Sequence, residues 1–232
     1  FYQYDGRVQT LPCDLRKHVF TDFNTEQYTQ VFGGSNEGYN EIWWFYCSGS
    51  STNIDKYIVY NYVENIWYYG SMARSAWLDS GLRNFPLAAT YNGVLVNHEE
   101  GIDDNETGTT AAIPSFITSA EFDLDDGHQF MLMSRVIPDV SFEGSTAGAP
   151  AVDMTFFGLG SSGSGYNNPA SESGVNTGTI TRSATSPVEV YTTQVHTRVR
   201  GRQMSLKIES SATGVQWQLG APRLDMRPDG RR

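Results

Sequence analysis

At 232 residues the chain has room for one large domain or two of moderate size, with a substantial core either way. Charged residues make up 18% and aromatic residues 13%, a balance that favours packed β structure and a soluble all-β protein. A formal charge of −10 argues against a nucleic-acid grip by most of the surface, and no stretch approaches the ~20 apolar residues of a membrane-spanning helix.

The opening FYQYDGRVQ is not a signal peptide. It lacks an initiator Met and reads like the middle of a strand, so the chain is expected to be cut from something longer or matured by cleavage. Residues 1–7 run into an Asp5-Gly6 turn. Pro12 then opens a short helical candidate over residues 14–23, with Leu15, Val19, Phe20 and Phe23 at helical spacing. It is expected to be a plain plug or spacer on a sheet edge. Residues 28–32 read as a strand ending at Gly33-Gly34, and residues 35–40 as a polar loop.

Residues 41–70 are the stretch around which the rest is organised. In the first run, Ile42, Trp44 and Tyr46 fall on one face of a strand, and Trp43, Phe45 and Cys47 on the other. A strand apolar on both sides wants protein packed on both. A small-residue turn at 48–53 leads to a second run over 54–62. Val63-Glu64-Asn65 is the next turn, and residues 66–69 close on Gly70. Three short strands joined by tight turns with both faces covered fit a β-propeller blade. Residues 71–77 resume the extended pattern, Asp79-Ser80-Gly81 turns, residues 85–90 are a strand, and Asn92-Gly93 is the strongest hairpin signal in the chain. It joins 87–91 to 94–98, so residues 67–98 read as a further blade. Residues 98–106 form an acidic loop and 107–112 a linker. Residues 1–110 are therefore expected to be propeller-like blades, the end of a longer propeller, and residues 111–232 a second domain.

In that second half, residues 115–122, 129–138 and 151–157 read as strands, with Asp125-Asp126-Gly127 a turn between the first two. Residues 158–179 are rich in Gly, Ser and Asn, too polar to form a core, and are expected to be a flexible loop. Residues 188–198 alternate as one strand, Gly201 turns, 204–210 return, and 214–219 with Trp217 form a last strand. About seven strands of this kind read as a β-sandwich.

Few residue patterns carry chemistry. Glu99, Glu100, Asp103, Asp104 and Glu106 are the obvious carboxylate cluster, but the D-x-[DN]-x-[DN]-G spacing of a calcium loop is absent, and a solvated acidic turn is the expectation. Asp123, Asp125 and Asp126 read the same way. His18, His98, His128 and His196 are scattered without metal spacing. Cys13 and Cys47 are too few for a disulfide framework or a zinc site and are expected to be buried free thiols. SGSG at 162–165 lacks the Lys or helix of a phosphate loop. Trp43, Trp44, Trp67 and Tyr68 offer stacking surfaces for sugars or bases, yet their alternating strand positions favour a core role. No catalytic, cofactor or metal residues are assigned, and a non-enzymatic protein without cofactors is expected.

Charge is unevenly placed. Residues 198–232 hold eight basic groups (Arg198, Arg200, Arg202, Lys207, Arg223, Arg227, Arg231, Arg232) against Glu209, Asp225 and Asp229, a net of +5. Residues 1–197 therefore carry −15. Arg predominates, which suits bidentate pairing with carboxylates. The basic segment fits either a tail meeting phosphates or a strand pair docking onto an acidic neighbour.

Several phrases together resemble the tail nozzle proteins of short-tailed bacteriophages, also called packaged-DNA stabilisation or tail accessory proteins. They are YDGRVQTLPC (4–13), EIWWFYCS (41–48), DKYIVYNYVENIWYYG (55–70), PLAA (86–89) with NGVLVNHEEGID (92–103), FDLDDG (122–127), RVIPDV (135–140) and the ending GVQWQLGAPRLDMRPDGRR (214–232). The resemblance spans nearly the whole chain apart from the Gly/Ser segment. It implies the C-terminal part of a longer structural virion protein, assembled in the host cytoplasm into a hexameric ring of the tail. Such a ring retains packaged DNA and conducts it on ejection without sequence-specific binding. Its implied partners are other tail proteins (adaptor, tail fibre or spike). The alternatives are a propeller glycosidase acting on cell-surface glycans and a host-receptor or sugar-binding tail tip.

Overall fold

The computed structural model describes residues 1–160 and 180–230. The protein is mostly β, 47% strand against 9% helix, in several antiparallel sheets none of which closes on itself. It divides into two compact units, residues 1–100 and residues from 101 onward. The division falls about ten residues before the expected boundary at residue 110, because residues 103–112 build a hairpin within the second unit.

The first unit starts with a hairpin of β1 (Tyr2–Tyr4) and β2 (Val8–Thr10), turned at Asp5-Gly6, where Gly6 has φ +101°. Helix α1 (Arg16–Asp22) follows. Four strands then run as a consecutive meander: β3 (Phe32–Asn36), β4 (Glu41–Tyr46), β5 (Lys56–Asn61) and β6 (Ile66–Ser71). A three-stranded sheet of β7 (Ala76–Leu78), β8 (Leu87–Ala89) and β9 (Leu95–Asn97) completes it. The turns form for local reasons. Asn61 Oδ1 accepts the N–H groups of Val63 (3.1 Å) and Glu64 (2.9 Å), and Asn65 takes the left-handed conformation that closes β5 onto β6. At Asn92-Gly93, Gly93 at φ +76° lets its N–H reach the Thr90 carbonyl.

The two-faced pattern of β4 produces two clusters. Trp43, Phe45 and Cys47 pack with Ile54 and Val59, and Phe32, Tyr57, Tyr68 and Trp77 close the edge. On the opposite face Tyr46 and Ile58 meet Val19 of α1, with Phe1, Leu15, Phe23, Trp44 and Trp67 around them. Each fully buried ring or branched chain of this kind contributes ~1.5–3 kcal/mol from area alone. Helix α1 is thus a cover on the sheet face, where a plug on the edge was expected, because Val19 inserts against Tyr46 and Ile58.

Residues 28–32 are not a strand. Asn24 accepts the Glu26 N–H at 2.9 Å and nucleates a 3₁₀ turn over Thr25–Gln30, so pairing starts only at Phe32. Gly33 and Gly34 do not end a strand but lie inside β3. A Cβ on Gly34 would come within 2.4 Å of the Trp77 indole, so the small residue is what lets that ring lie against the strand.

The second unit opens with the hairpin of β10 (Asp103–Asp104) and β11 (Ala111–Ala112), where an acidic loop followed by a linker was expected. The remaining strands are β12 (Ser115–Thr118), β13 (Phe122–Asp123), β14 (Met131–Ile137), β15 (Val140–Ser141), β16 (Ala151–Leu159), β17 (Ile180–Glu189), β18 (Val195–Gly201), β19 (Gln203–Ser210), β20 (Gln218–Leu219) and β21 (Arg223–Pro228). One sheet has the order β12-β19-β16-β17 with β13 also on β19; a second has β18-β14-β21; β15 pairs β20. Met131, Met133, Val136 and Val199 from the second sheet share one core with Met154, Phe156, Met204 and Ile208 from the first. The alternation over 188–198 does not mark one strand. Thr192 exchanges two hydrogen bonds with Glu189, its N–H donating to the Glu189 carbonyl and its Oγ1 accepting the Glu189 N–H, both at 2.9 Å. The chain turns there and passes from the five-stranded to the three-stranded sheet. Strand β21 lies beyond what was expected to be the last strand. Of the polar 158–179 segment, residues 158–159 belong to β16, and residues 161–179, including SGSG at 162–165, lie outside the described residues.

Candidate functional site

The strongest concentration of buried polar groups sits at the start of β4. Antiparallel register places Glu41 opposite Asn36 of β3, and Glu41 shares its face with Trp43 two residues on. Glu41 keeps 8% of its surface exposed and Asn36 1%. Glu41 Oε2 accepts from Trp43 Nε1 (3.0 Å) and Asn36 Nδ2 (3.3 Å), and Oε1 accepts from the Tyr68 hydroxyl. The same Asn36 Nδ2 donates to Glu99 Oε1 at 3.2 Å, so one amide bridges two carboxyl groups.

Electrostatics follow from that geometry. Glu99 is exposed as a residue, yet its carboxyl is partly enclosed; burial first, and the Glu41 charge second, push it above the usual carboxylate range, against the Asn36 hydrogen bond. Glu99 also has φ +60°, a conformation disfavoured for its side chain. Burial and the bond to Glu41 push the Tyr68 hydroxyl up, and Tyr57 rises from burial and the two carboxylates. Beside them, buried Arg74 donates Nε–H to His98 Nε2 at 2.9 Å, and His98 lies 4.8 Å from the Trp77 ring. Trp77 donates to the Ser35 carbonyl at 2.7 Å. Asp79 opposes a burial cost with bonds from Ser35 Oγ and the N–H groups of Glu37 and Ser80, which hold it below the usual range.

Chemically this is a strut. Glycoside hydrolysis needs two carboxyl groups flanking a bond that substrate can reach. Glu41 has both oxygens engaged by donors and is almost closed to solvent. Among the described residues, two grooves, of about 160 Å³ (Ile137, Pro138, Asp139, Ala221, Arg223) and about 100 Å³ (Ile117, Thr118, Ser119, Leu206, Leu219), lie in the second unit.

The carboxylates singled out from sequence are dispersed. Glu100 is exposed and accepts from Asn97 Nδ2 at 2.7 Å. Asp103 receives the Gly214 N–H on both oxygens (2.8 and 3.0 Å), and Asp104 receives the Glu106 N–H at 2.8 Å. Asp123 accepts from Gln203 Nε2 at 3.0 Å, and Asp125 is exposed at a 3₁₀ turn. Among the described residues no group of three His, Cys, Asp or Glu side chains is placed to hold a metal ion. His18 is buried in α1 against Tyr69, with ring centroids 4.1 Å apart, while His128 and His196 are exposed elsewhere. Trp43 is buried, and Trp44 stacks on Trp67 at 5.7 Å. Both cysteines are free; Cys47 is buried, but Cys13 is only half-buried, because it flanks the second cluster at its edge.

Sequence reasoning missed Glu41, Asn36 and Arg74. The available signal for Glu41 was a carboxylate opening an otherwise apolar run; apart from Trp43 two residues on, its partners Asn36 and Tyr68 lie 5 and 27 residues away, and nothing local marked them. The chain matches no family model and no curated protein.

Proposed function

We propose that this chain is a non-enzymatic structural component of a bacteriophage tail, part of a nozzle ring that retains packaged DNA and conducts it during ejection. The observation that carries the reading is the four-stranded meander β3–β6, covered on both faces, which supports assignment of residues 32–71 as a propeller blade. The three-stranded sheet β7–β9 supports a second, shorter blade, and the common core of two sheets supports a β-sandwich in the second unit. The phrases spread along the sequence supply the tail assignment itself.

Two further features fit a conduit. The buried carboxylate Glu41 braces the architecture of the first unit, with both oxygens engaged by donors. A −15 charge over residues 1–197 repels phosphate backbones, so DNA passes without sticking. Electron microscopy of the purified protein tests the proposal. Rings of subunits round a central channel are expected. A monomer that releases sugars from cell-surface glycans would overturn it in favour of the glycosidase.

A further inference from the structure

The outer face of the sheet β18-β14-β21 has a charge pattern that the fold uses only in part. In these strands Val195, Val199, Met131, Met133, Val136, Leu224 and Met226 point to the core. Alternation therefore places Arg198 and Arg200 of β18, Arg135 of β14, and Arg223, Asp225 and Arg227 of β21 on the opposite face. Two of these arginines are already engaged. Arg135 pairs with Asp225 at 3.4 Å, and Arg200 pairs with Asp229 at 2.5 Å while lying 4.1 Å over the Phe130 ring. Arg198, Arg223 and Arg227 are exposed and have no acidic partner among the described residues. Arg223 also lines the groove formed with Ile137, Pro138, Asp139 and Ala221. Leu132 lies between Arg200 and Arg227 in register, on this same outer face, and is 8% exposed, so the face is not purely polar.

We propose that this arginine face docks onto a carboxylate-rich surface of a second copy of the same chain. Charge complementarity selects that occupant. The face belongs to the segment with +5, while the rest of each chain carries −15, so any neighbouring copy offers a large excess of carboxylates. Guanidinium groups match carboxylates bidentately, which suits a specific protein contact. Nucleic acid is disfavoured. Asp225 and Asp229 stand among the arginines, and the −10 of the whole chain repels a phosphate backbone. A patch and its complement at different places on one chain make a head-to-tail contact, the kind that closes into rings. The inference rests on the ring reading above and names the surface through which copies meet. Three strands six or seven residues long cover only about 14 by 20 Å, below the ~800 Å² per partner of a standard interface, so the face is one charged patch of a larger contact.

The test compares wild type with Arg198→Gln/Arg223→Gln/Arg227→Gln by sedimentation velocity and light scattering, at salt from about 50 to 500 mM. Circular dichroism checks that the exposed substitutions leave the fold intact. Association of wild type is expected to weaken about tenfold or more over that salt range, and the triple variant to associate about tenfold or more weakly at low salt. Restoring charge with Lys at the three positions should recover part of the loss. If the triple variant assembles as wild type does, the arginine face is overturned and the ring reading stands. If wild type stays monomeric at all concentrations, both fail. A wild type that remains monomeric but retards a duplex DNA oligomer, with the triple variant inactive, would assign the face to nucleic acid instead.

Discussion

Gly34→Ala is the sharpest probe of how the first unit is held together. A Cβ at this position would lie 2.4 Å from Trp77 Cδ1, 2.9 Å from Cγ and 3.2 Å from Nε1. Ordinary contact begins at 3.4 Å, so the indole must retreat by roughly 1 Å. It has little room to do so. Trp77 stacks on Trp43 at 5.2 Å, lies 5.7 Å from Phe45 and 4.8 Å from His98, and its Nε1–H is committed to the Ser35 carbonyl. Overpacking of this kind costs ~1–3 kcal/mol, and straining the indole hydrogen bond adds ~0.5–1.5 kcal/mol. The expected loss is therefore about 2–4 kcal/mol, or roughly 10–25 °C in Tm for a unit of this size. Gly33→Ala is the control. Its Cβ would meet the Trp43 carbonyl at 3.3 Å and Trp44 Cδ1 at 3.6 Å on the other side of the strand. That mild crowding is offset by ~0.4–1 kcal/mol of reduced unfolded-state entropy, so near-neutral behaviour is expected. Four of the five tryptophans lie in the first unit, so near-UV circular dichroism during urea unfolding reports on it. Equal stability of the two variants, or a Gly34→Ala loss below about 0.5 kcal/mol, would show that the indole does not fill the space beside β3.

Removing the strut should be costlier than altering it. Glu41→Ala leaves the Trp43 and Tyr68 donors without their acceptor, while Asn36 keeps Glu99, and at ~1–3 kcal/mol for each orphaned buried group a loss of at least about 2 kcal/mol is expected. Glu41→Gln, which keeps an acceptor oxygen, should lose less; an alanine variant within about 1 kcal/mol of wild type would contradict the strut. Glu99 makes a signed prediction about pH. Its folded carboxyl titrates above the unfolded value of about 4.3, so the native state holds its proton more tightly. The stability it contributes is fully present below that value and is lost as pH rises through the folded one. Glu99→Gln should flatten this part of the stability–pH profile, and a profile identical to wild type would refute the assignment. Burial, with Asp55 adding to it, raises the Cys47 thiol, and burial raises that of Cys13. A thiol reagent near neutral pH should label half-buried Cys13 slowly and Cys47 only on unfolding; fast labelling of Cys47 in the native protein would be inconsistent with its place in the core.

Strands and turns governed by near neighbours could be read in advance. The two faces of β4 follow from alternation alone, and Asp5-Gly6, Val63-Glu64-Asn65 and Asn92-Gly93 turn where their backbone preferences require. Errors arose where a distant group or a local cap overrode the pattern. Residues 28–32 gave way to the Asn24 cap, and the alternation of 188–198 concealed a change of sheet stabilised by Thr192. The paired glycines read as a breaker although Trp77, more than forty residues on, is what requires Gly34 inside a strand.

Composition and pattern determined the class: an aromatic-rich, acidic, mostly β protein whose organising strand is covered on both sides, because period-two alternation is written into consecutive residues. Tertiary structure alone decided which polar groups meet. Glu41 finds Asn36, Tyr68 and Glu99, and arginines from separate strands line one sheet face, because register and strand order bring together side chains that the chain itself keeps far apart.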